Sequence, residues 1–143
     1  AIAKNLEVMA GLPVPIVAVV IGEGGSGGAL AIGVCDRLLM LEYAVYSVIT
    51  PEGCASILWK DQSKVDQAAA QMKMTAEDLN TLGVVDEVLR EPPGGAHHSY
   101  DEAADIVGEA VARHLQALSA SPGLLDQRYA KYRALGRFEE SRS

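Results

Sequence analysis

The sequence predicts an α/β fold, because short apolar runs typical of strands alternate with segments whose apolar residues recur at helical spacing. The clearest strand covers residues 14–21, a continuous and largely β-branched run of the kind expected for a strand buried on both faces. Five glycines follow within the seven residues 22–28, and an uncharged apolar segment comes next. A chain of 143 residues with 49% hydrophobic residues is sufficient for one domain with a sizeable core.

The first elements follow from apolar spacing and from breaker residues. Apolar residues on one face of residues 2–10 predict an amphipathic helix, which ends near Gly11 ahead of two prolines. Residues 28–35 predict a short helix that is apolar all round and therefore buried. Residues 37–41 and 44–49 are both typical of strands in a covered sheet. Thr50 as N-cap with Pro51 at the first helical position predicts the next helix.

The second half of the chain is predicted to be mainly helical. Domain boundaries are predicted at residues 1–118 for the main domain and 119–143 for a C-terminal helix and mobile tail. The predicted elements are an amphipathic helix capped by Ser63, a short helix from Thr75 to Gly83, a strand at 84–89, a long helix behind a capping box of Ser99 and Glu102, and a last helix at 124–135 with Leu125, Tyr129, Tyr132 and Leu135 on one face.

The glycine-rich segment carries the chemistry, because it brings main chain close to a ligand and opens a helix whose first N–H groups are free. Three hypotheses fit it. Gly22, Gly24 and Gly27 match the dinucleotide pattern, with Glu42 near the expected acidic position. Residues 24–28 match the G-x-S-x-G pattern of serine hydrolases, centred on Ser26. The third hypothesis is a nest of amides that stabilises an oxyanion.

The sequence argues against both the dinucleotide site and the serine hydrolase. A hydrolase would need Asp86 together with His97 or His98, yet both histidines lie in a Pro-Gly loop where solvated histidines are common. A dinucleotide site is disfavoured because the helix after the glycines is short and fully apolar. A tight turn that only packs under a neighbouring element is the structural alternative.

Composition excludes several classes of function. A net charge of −7 argues against a nucleic-acid or anionic-membrane surface. No apolar run is long enough to span a bilayer. The two cysteines, Cys35 and Cys54, fit no zinc-site spacing and are interpreted as buried small residues in a reducing cytosol, so no metal site is predicted.

Several long segments of the sequence resemble a known family. Residues 17–60, VAVVIGEGGSGGALAIGVCDRLLMLEYAVYSVITPEGCASILWK, closely resemble the α subunit of the acetyl-CoA carboxylase carboxyltransferase of bacteria and plastids. The similarity continues through residues 74–86 and through 91–97, EPPGGAH, and it covers most of the chain. Cys35 departs from it mildly, where another small residue is expected. The segment 75–88, TAEDLNTLGVVDEV, is also similar to the wider crotonase superfamily.

The resemblance implies a crotonase-like ββα superhelix of short strands and helices. It implies transfer of a carboxyl group from carboxybiotin on a carrier protein to acetyl-CoA, giving malonyl-CoA for fatty acid synthesis. The implied partners are a carboxyltransferase β subunit and the biotin carboxyl carrier protein, in an α2β2-type hetero-oligomer in the cytoplasm or plastid stroma. The α subunit of that family is about twice as long, so the N-terminal half is expected to be absent here. No nucleic acid or membrane is implied as a partner.

The site prediction combines the resemblance with the physical chemistry of helix starts. Gly24, Gly25, Gly27 and Gly28 are predicted to supply backbone oxyanion donors. Gly27, Gly28 and Ala29 are predicted to bind the ureido oxygen of biotin, while the partner serves the thioester. The roles of Glu23 and Glu52 stay open at this point, although a carboxylate at position 52 also suits the first turn of a helix. A non-catalytic assembly subunit and the Ser26 hydrolase remain the alternative functions.

Overall fold

The computed structural model describes residues 2–136 and gives two parallel sheets surrounded by helices. The larger sheet has the strand order β1-β3-β5, and β2 pairs with β4 in the smaller sheet. The α/β prediction is thereby confirmed. The elements in chain order are α1 (Ile2–Ala10), β1 (Val17–Val20), β2 (Glu23–Gly25), α2 (Ser26–Ile32), β3 (Arg37–Leu41), β4 (Val45–Ser47), α3 (Pro51–Leu58), α4 (Val65–Met72), α5 (Ala76–Thr81), β5 (Glu87–Leu89), α6 (Tyr100–Ser119) and α7 (Leu124–Arg133), with single 3₁₀ turns at Gln62–Lys64 and Ala96–His98.

The core is centred on β3, the middle strand of the larger sheet. Its residues Leu38, Leu39, Met40 and Leu41 are all buried, as a continuous apolar run predicts for a strand covered on both faces. β1 lies parallel on one side of β3, with Val17 opposite Arg37, and β5 lies parallel on the other. The buried residues packed around β3 include Ala18, Cys35, Ala44, Ala76, Leu79, Val85, Leu89 and Ala110.

Several predicted elements are confirmed with small shifts of their ends. β3 has the predicted limits, and α3 begins with Pro51 behind Thr50, whose hydroxyl accepts a hydrogen bond from the Gly53 amide at 3.2 Å. Thr75 caps α5 in the same way through the Asp78 amide. Among residues 2–136, no helix combines the length and the hydrophobicity needed to cross a bilayer.

The burial of two elements was predicted wrongly. β1 covers only four residues, and of these only Ala18 is buried. Helix α2 begins at Ser26 instead of Gly28, and its only buried residue is Ala31. Leu30 and Ile32 are 51% and 62% exposed. An apolar segment favours burial, but its sequence does not show whether residues of the same chain or of another molecule bury it.

Three capping and strand details also differ from prediction. β2 was not predicted, because Glu-Gly-Gly has low strand propensity and is held by pairing with β4. Ser63 does not cap a helix; the Asp61 carboxylate instead accepts from the Ser63 amide at 2.9 Å. Ser99 is the N-cap residue of α6, but its hydroxyl bonds the Glu102 carboxylate at 3.3 Å and caps no amide.

The predicted face of the last helix turns inward only at Tyr132, which is half-buried. Leu125 and Tyr129 are 41% and 70% exposed, whereas Arg128 is the buried residue of α7. Its guanidinium forms a two-point ion pair with the buried Asp36 carboxylate, so this part of α7 faces the sheet through charge instead of apolar side chains. The division at residue 118 stays a prediction, and the predicted tail from Arg137 to Ser143 lies outside the described residues.

Candidate functional site

The glycine-rich segment forms a strand followed directly by a helix. Gly24 pairs with Tyr46 in the smaller sheet, so β2 is fixed against β4. Gly25 is extended, with φ −134° and ψ 161°, and its neighbour Ser26 has φ +64°. That left-handed conformation is unfavourable for a residue with a side chain, by roughly 1–2 kcal/mol. Such local strain is typical of sites where the main chain is placed for function.

The helix start determines which amides are free. No side chain caps α2 at Gly25. Ala29 is the fourth residue of the helix, and the amide at that position makes the first intrahelical hydrogen bond. The amides of Gly27 and Gly28 precede it, so neither has a partner within the helix. The helix dipole favours negative charge at this end.

Gly27 and Gly28 differ in the space available for an added Cβ atom. A Cβ added to Gly28 would meet no atom within 4 Å, and Gly28 is exposed. A Cβ on Gly27 would lie 3.3 Å from Cδ1 of Ile2, the first described residue of α1. Packing within the described chain therefore does not explain the glycine at position 28. The open space leaves room for a ligand or a partner group beside this glycine.

A cavity of about 260 Å³ lies beside this segment, between β1, β2 and α2. Of the predicted site residues, Gly24 and Ala29 line it, whereas Gly25, Gly27 and Gly28 do not. The cavity therefore touches the flank of α2 and not the amides at its start. Its other lining residues are Ala18, Val19, Val20, Ile21, Gly22, Glu23, Ile32, Gly33, Leu38 and Tyr46.

Two tyrosines and a cysteine surround the far end of α2. The Tyr46 hydroxyl donates to the Ala29 carbonyl at 3.0 Å, and the Tyr132 hydroxyl lies between the Gly33 and Cys35 carbonyls. Burial raises the pKa of both phenols and of the Cys35 thiol, so all three stay neutral at physiological pH. Neutral hydroxyls can donate to carbonyl oxygens, and a buried neutral thiol is a poor nucleophile.

The structure does not assemble the hydrolase residues. Asp86 accepts hydrogen bonds from the Leu38 amide at 2.7 Å and from Lys131 Nζ at 2.6 Å. The rings of His97 and His98 contact each other at an interplanar angle of 43°, with centroids 4.1 Å apart. Within residues 2–136, no hydrogen bond joins Ser26 to a histidine or Asp86 to His97 or His98. A triad requires both links.

The dinucleotide hypothesis also lacks its geometry. That motif needs the glycines to connect one strand directly to a helix, whereas Gly22 and Gly24 here lead into and form part of an extra strand, β2. Glu42 accepts from the Glu91 amide at 3.1 Å, so its carboxylate holds a loop after β5. Among the described residues, no group of three or more His, Cys, Asp or Glu side chains could hold a metal ion.

The side chains of Glu23 and Glu52 are both exposed. Glu23 is an exposed residue of β2 and borders the cavity. Glu52 lies exposed in the first turn of α3. Both positions suit a solvated carboxylate, and Glu52 also suits the helix dipole.

The sequence did not predict the residues that fix α2 and the chain that follows it. Arg128 and Lys131 are spaced like residues on one helix face. Arg128 donates to the carboxylate of Asp36, and Lys131 donates to the main-chain carbonyl of Asp36. Tyr46 was predicted only as part of a strand and Tyr132 only as part of one helix face, although each forms hydrogen bonds through its hydroxyl. A helix whose aromatic residues alternate with basic ones was the available signal, but the sequence gives no indication of the partner.

Comparison with known proteins agrees with this architecture. Residues 1–136 match the family described as acetyl co-enzyme A carboxylase carboxyltransferase-like. The acetyl-coenzyme A carboxylase carboxyl transferase subunit alpha of Geobacter metallireducens is 56% identical over 142 residues, covering 98% of this chain and 45% of that protein. The corresponding subunits of Prochlorococcus marinus and Alcanivorax borkumensis are each 55% identical, covering 99% and 95% of this chain. The chain thus spans less than half the length of these relatives.

Solved structures show the same fold at low identity. A Pseudomonas malonate decarboxylase hetero-tetramer in complex with coenzyme A matches with a TM-score of 0.63 at 20% identity, covering 92% of this chain and 55% of that one. An enoyl-CoA hydratase from Mycobacterium avium subsp. paratuberculosis matches with a TM-score of 0.56 at 23% identity, covering 94% and 55%. The fold is therefore crotonase-like, as expected. Together with the match over residues 1–136, these comparisons place the chain in the acetyl-CoA carboxylase carboxyltransferase-like family.

Proposed function

We propose that this chain is part of the α subunit of a biotin-dependent carboxyltransferase that moves a carboxyl group from carboxybiotin to acetyl-CoA, giving malonyl-CoA. The relatives at about 55% identity carry that subunit's name, and the chain spans 43–45% of their length. The activity therefore belongs to the whole assembly. Its other members in this proposal are a β subunit and the biotin carboxyl carrier protein, in an α2β2-type complex of the cytoplasm or plastid stroma.

One observation carries the assignment of the site, namely the free amides of Gly27 and Gly28 at an uncapped helix start. These amides would hold carboxybiotin, which would supply an activated carboxyl group and would need N–H donors at its ureido oxygen during the transfer. Preorganised N–H donors at such an oxygen each contribute about 10²–10³ in rate. The open space at Gly28 fits this role, because close approach to an amide requires the absence of a side chain.

The remaining site residues have supporting roles in this proposal. Gly24 and Gly25 place the amides through the pairing of β2 with β4, and the helix dipole of α2 adds a fixed partial charge. Acid–base chemistry needs no histidine of this chain in this arrangement. The donors for the thioester oxygen would come from the partner subunit.

The test is a pair of glycine-to-alanine variants. Gly28→Ala places a methyl group in open space, so it should preserve the fold and stabilise α2 by about 0.5–1 kcal/mol. Malonyl-CoA formation by the complete α subunit with β subunit, biotinylated carrier and acetyl-CoA should nevertheless fall by about 10²-fold or more, since the methyl group blocks one donor. A substitution at Gly27 would be a less clean test, because Ile2 lies close to an added side chain.

Gly108→Ala is the matched control. Gly108 lies in the middle of α6, is exposed, and also has no atom within 4 Å of an added Cβ. It should gain similar stability and keep full activity. Equal turnover of the Gly28→Ala and Gly108→Ala enzymes would refute the proposed site, although the family assignment would stand.

A further inference from the structure

Helix α2 buries little of its own surface. It has seven residues, only Ala31 is buried, and no side chain caps its start. A short helix with so little burial has low intrinsic stability. Its position must therefore be set by specific contacts, and two of these are hydroxyl groups from other elements.

The first contact is Tyr46 of β4. Its hydroxyl donates to the Ala29 carbonyl at 3.0 Å, and its ring lies against β2, since a Cβ on Gly24 would approach ring atom Cδ2 to 2.7 Å. A Cβ on Gly33 would lie 2.3 Å from the same hydroxyl. Tyr46 thus occupies the space between the strand that precedes Ser26 and the helix that follows it, and the glycines at 24 and 33 make room for it.

The second contact is Tyr132 of α7. Its hydroxyl oxygen lies 2.5 Å from the Gly33 carbonyl and 2.9 Å from the Cys35 carbonyl, and it accepts from the Cys35 amide at 2.8 Å. The single hydroxyl proton serves one carbonyl at a time. The ion pair between Arg128 and Asp36 fixes α7, and it therefore also fixes the position of the Tyr132 hydroxyl on that helix.

We propose that Tyr46 and Tyr132 are positioning residues for carboxyl transfer, which hold α2 so that its first amides meet the reacting oxygen. This inference rests on the proposed function. Neither hydroxyl is one of the proposed donors, because both bond carbonyl oxygens, Tyr46 that of Ala29 within the helix and Tyr132 those of Gly33 and Cys35 beyond its end. Donors must be placed to within about 0.5 Å to be effective, and an error of about 1 Å costs up to 10²-fold in rate.

The experiment uses Tyr46→Phe and Tyr132→Phe in the complete α subunit, with Tyr43→Phe and Tyr129→Phe as controls. Tyr43 and Tyr129 are 72% and 70% exposed. The first two variants remove a hydroxyl and keep the ring, so α2 amide hydrogen exchange should accelerate by about fivefold, the usual effect of one hydrogen bond. In the assembled enzyme, kcat should fall by about tenfold while KM for acetyl-CoA stays unchanged. The controls should change neither quantity.

The outcomes separate this inference from the proposed function. Unchanged α2 exchange in both variants overturns the holding role, and normal kcat with faster exchange overturns its effect on carboxyl transfer. A parallel rise of KM for acetyl-CoA would indicate general loss of structure and also count against it. If the Gly28→Ala enzyme is fully active, the proposed site fails, and the positioning role fails with it. A slow Gly28→Ala enzyme with normal Tyr→Phe enzymes refutes only the inference made here.

Discussion

Replacing Arg128 should destabilise this chain more than any other single change to α7. The guanidinium is 1% exposed, and its Nε and Nη2 atoms lie 2.9 and 2.8 Å from the two Asp36 carboxylate oxygens. Its remaining hydrogens point at four carbonyl oxygens that follow or end α1. These acceptors are Met9, Ala10, Leu12 and Val14, at 2.8–3.2 Å.

The expected magnitude follows from what Arg128→Met would leave behind. Asp36 would keep a buried charge with one remaining main-chain donor, the Ile16 amide at 2.7 Å, and four carbonyls would lose a partner. Removing one partner of a buried pair costs about 3–5 kcal/mol, against a typical total stability of 5–15 kcal/mol. Arg128→Lys should recover only part of this, because an ammonium group cannot reproduce the planar five-donor fork.

Urea unfolding followed by circular dichroism measures the effect, with Arg133→Met as control. Arg133 is exposed on the same helix and should cost about 0.5 kcal/mol or less. The double variant Asp36→Asn with Arg128→Met should be less destabilised than the sum of the single changes, since the buried charge is removed with its partner. An Arg128→Met protein within 1 kcal/mol of the control would contradict the assignment of this pair as the anchor of α7.

Three further measurements test other contacts. Thr50→Ala should lower the free energy of unfolding by about 1 kcal/mol through loss of the α3 cap, and no change would mean that solvent caps the helix equally well. The guanidinium of Arg113 holds the pKa of the Glu87 carboxyl below its ordinary 4.5, so the stabilisation is complete above that pH and is lost as pH falls through the lowered value. Glu87→Gln should remove that acid dependence, and an unchanged profile between pH 5 and 2 would exclude the ion pair as its source. A thiol reagent should modify Cys54 in the native protein and reach Cys35 only on unfolding, because Cys35 is fully buried and burial raises its pKa; equal labelling rates would refute this.

The parts of the fold that the sequence predicts are those set by local chemistry. The apolar run at 37–41 has no other stable environment than a covered strand, and Thr50 with Pro51 satisfies the free amides of a helix start without distant partners. By contrast, β2 exists only because Gly24 meets Tyr46 across a ladder between two distant segments. Its sequence alone favours a turn.

The candidate site shows the same division. Glycine density and the resemblance locate it, but the helix starts at Ser26, and only the structure separates the free amides of Gly27 and Gly28 from that of Ala29. The position of Arg128 could not be predicted either, because arginine is rarely buried and its partner Asp36 lies 92 residues away along the chain.

The ion pair between Arg128 and Asp36 also affects how the chain folds during synthesis. Asp36 leaves the ribosome together with β3, whereas its partner follows only 92 residues later. At translation rates of about 5–20 residues per second, the nascent chain waits several seconds before the carboxylate that precedes β3 can pair with Arg128. The sheet should therefore stay loosely packed until α7 emerges.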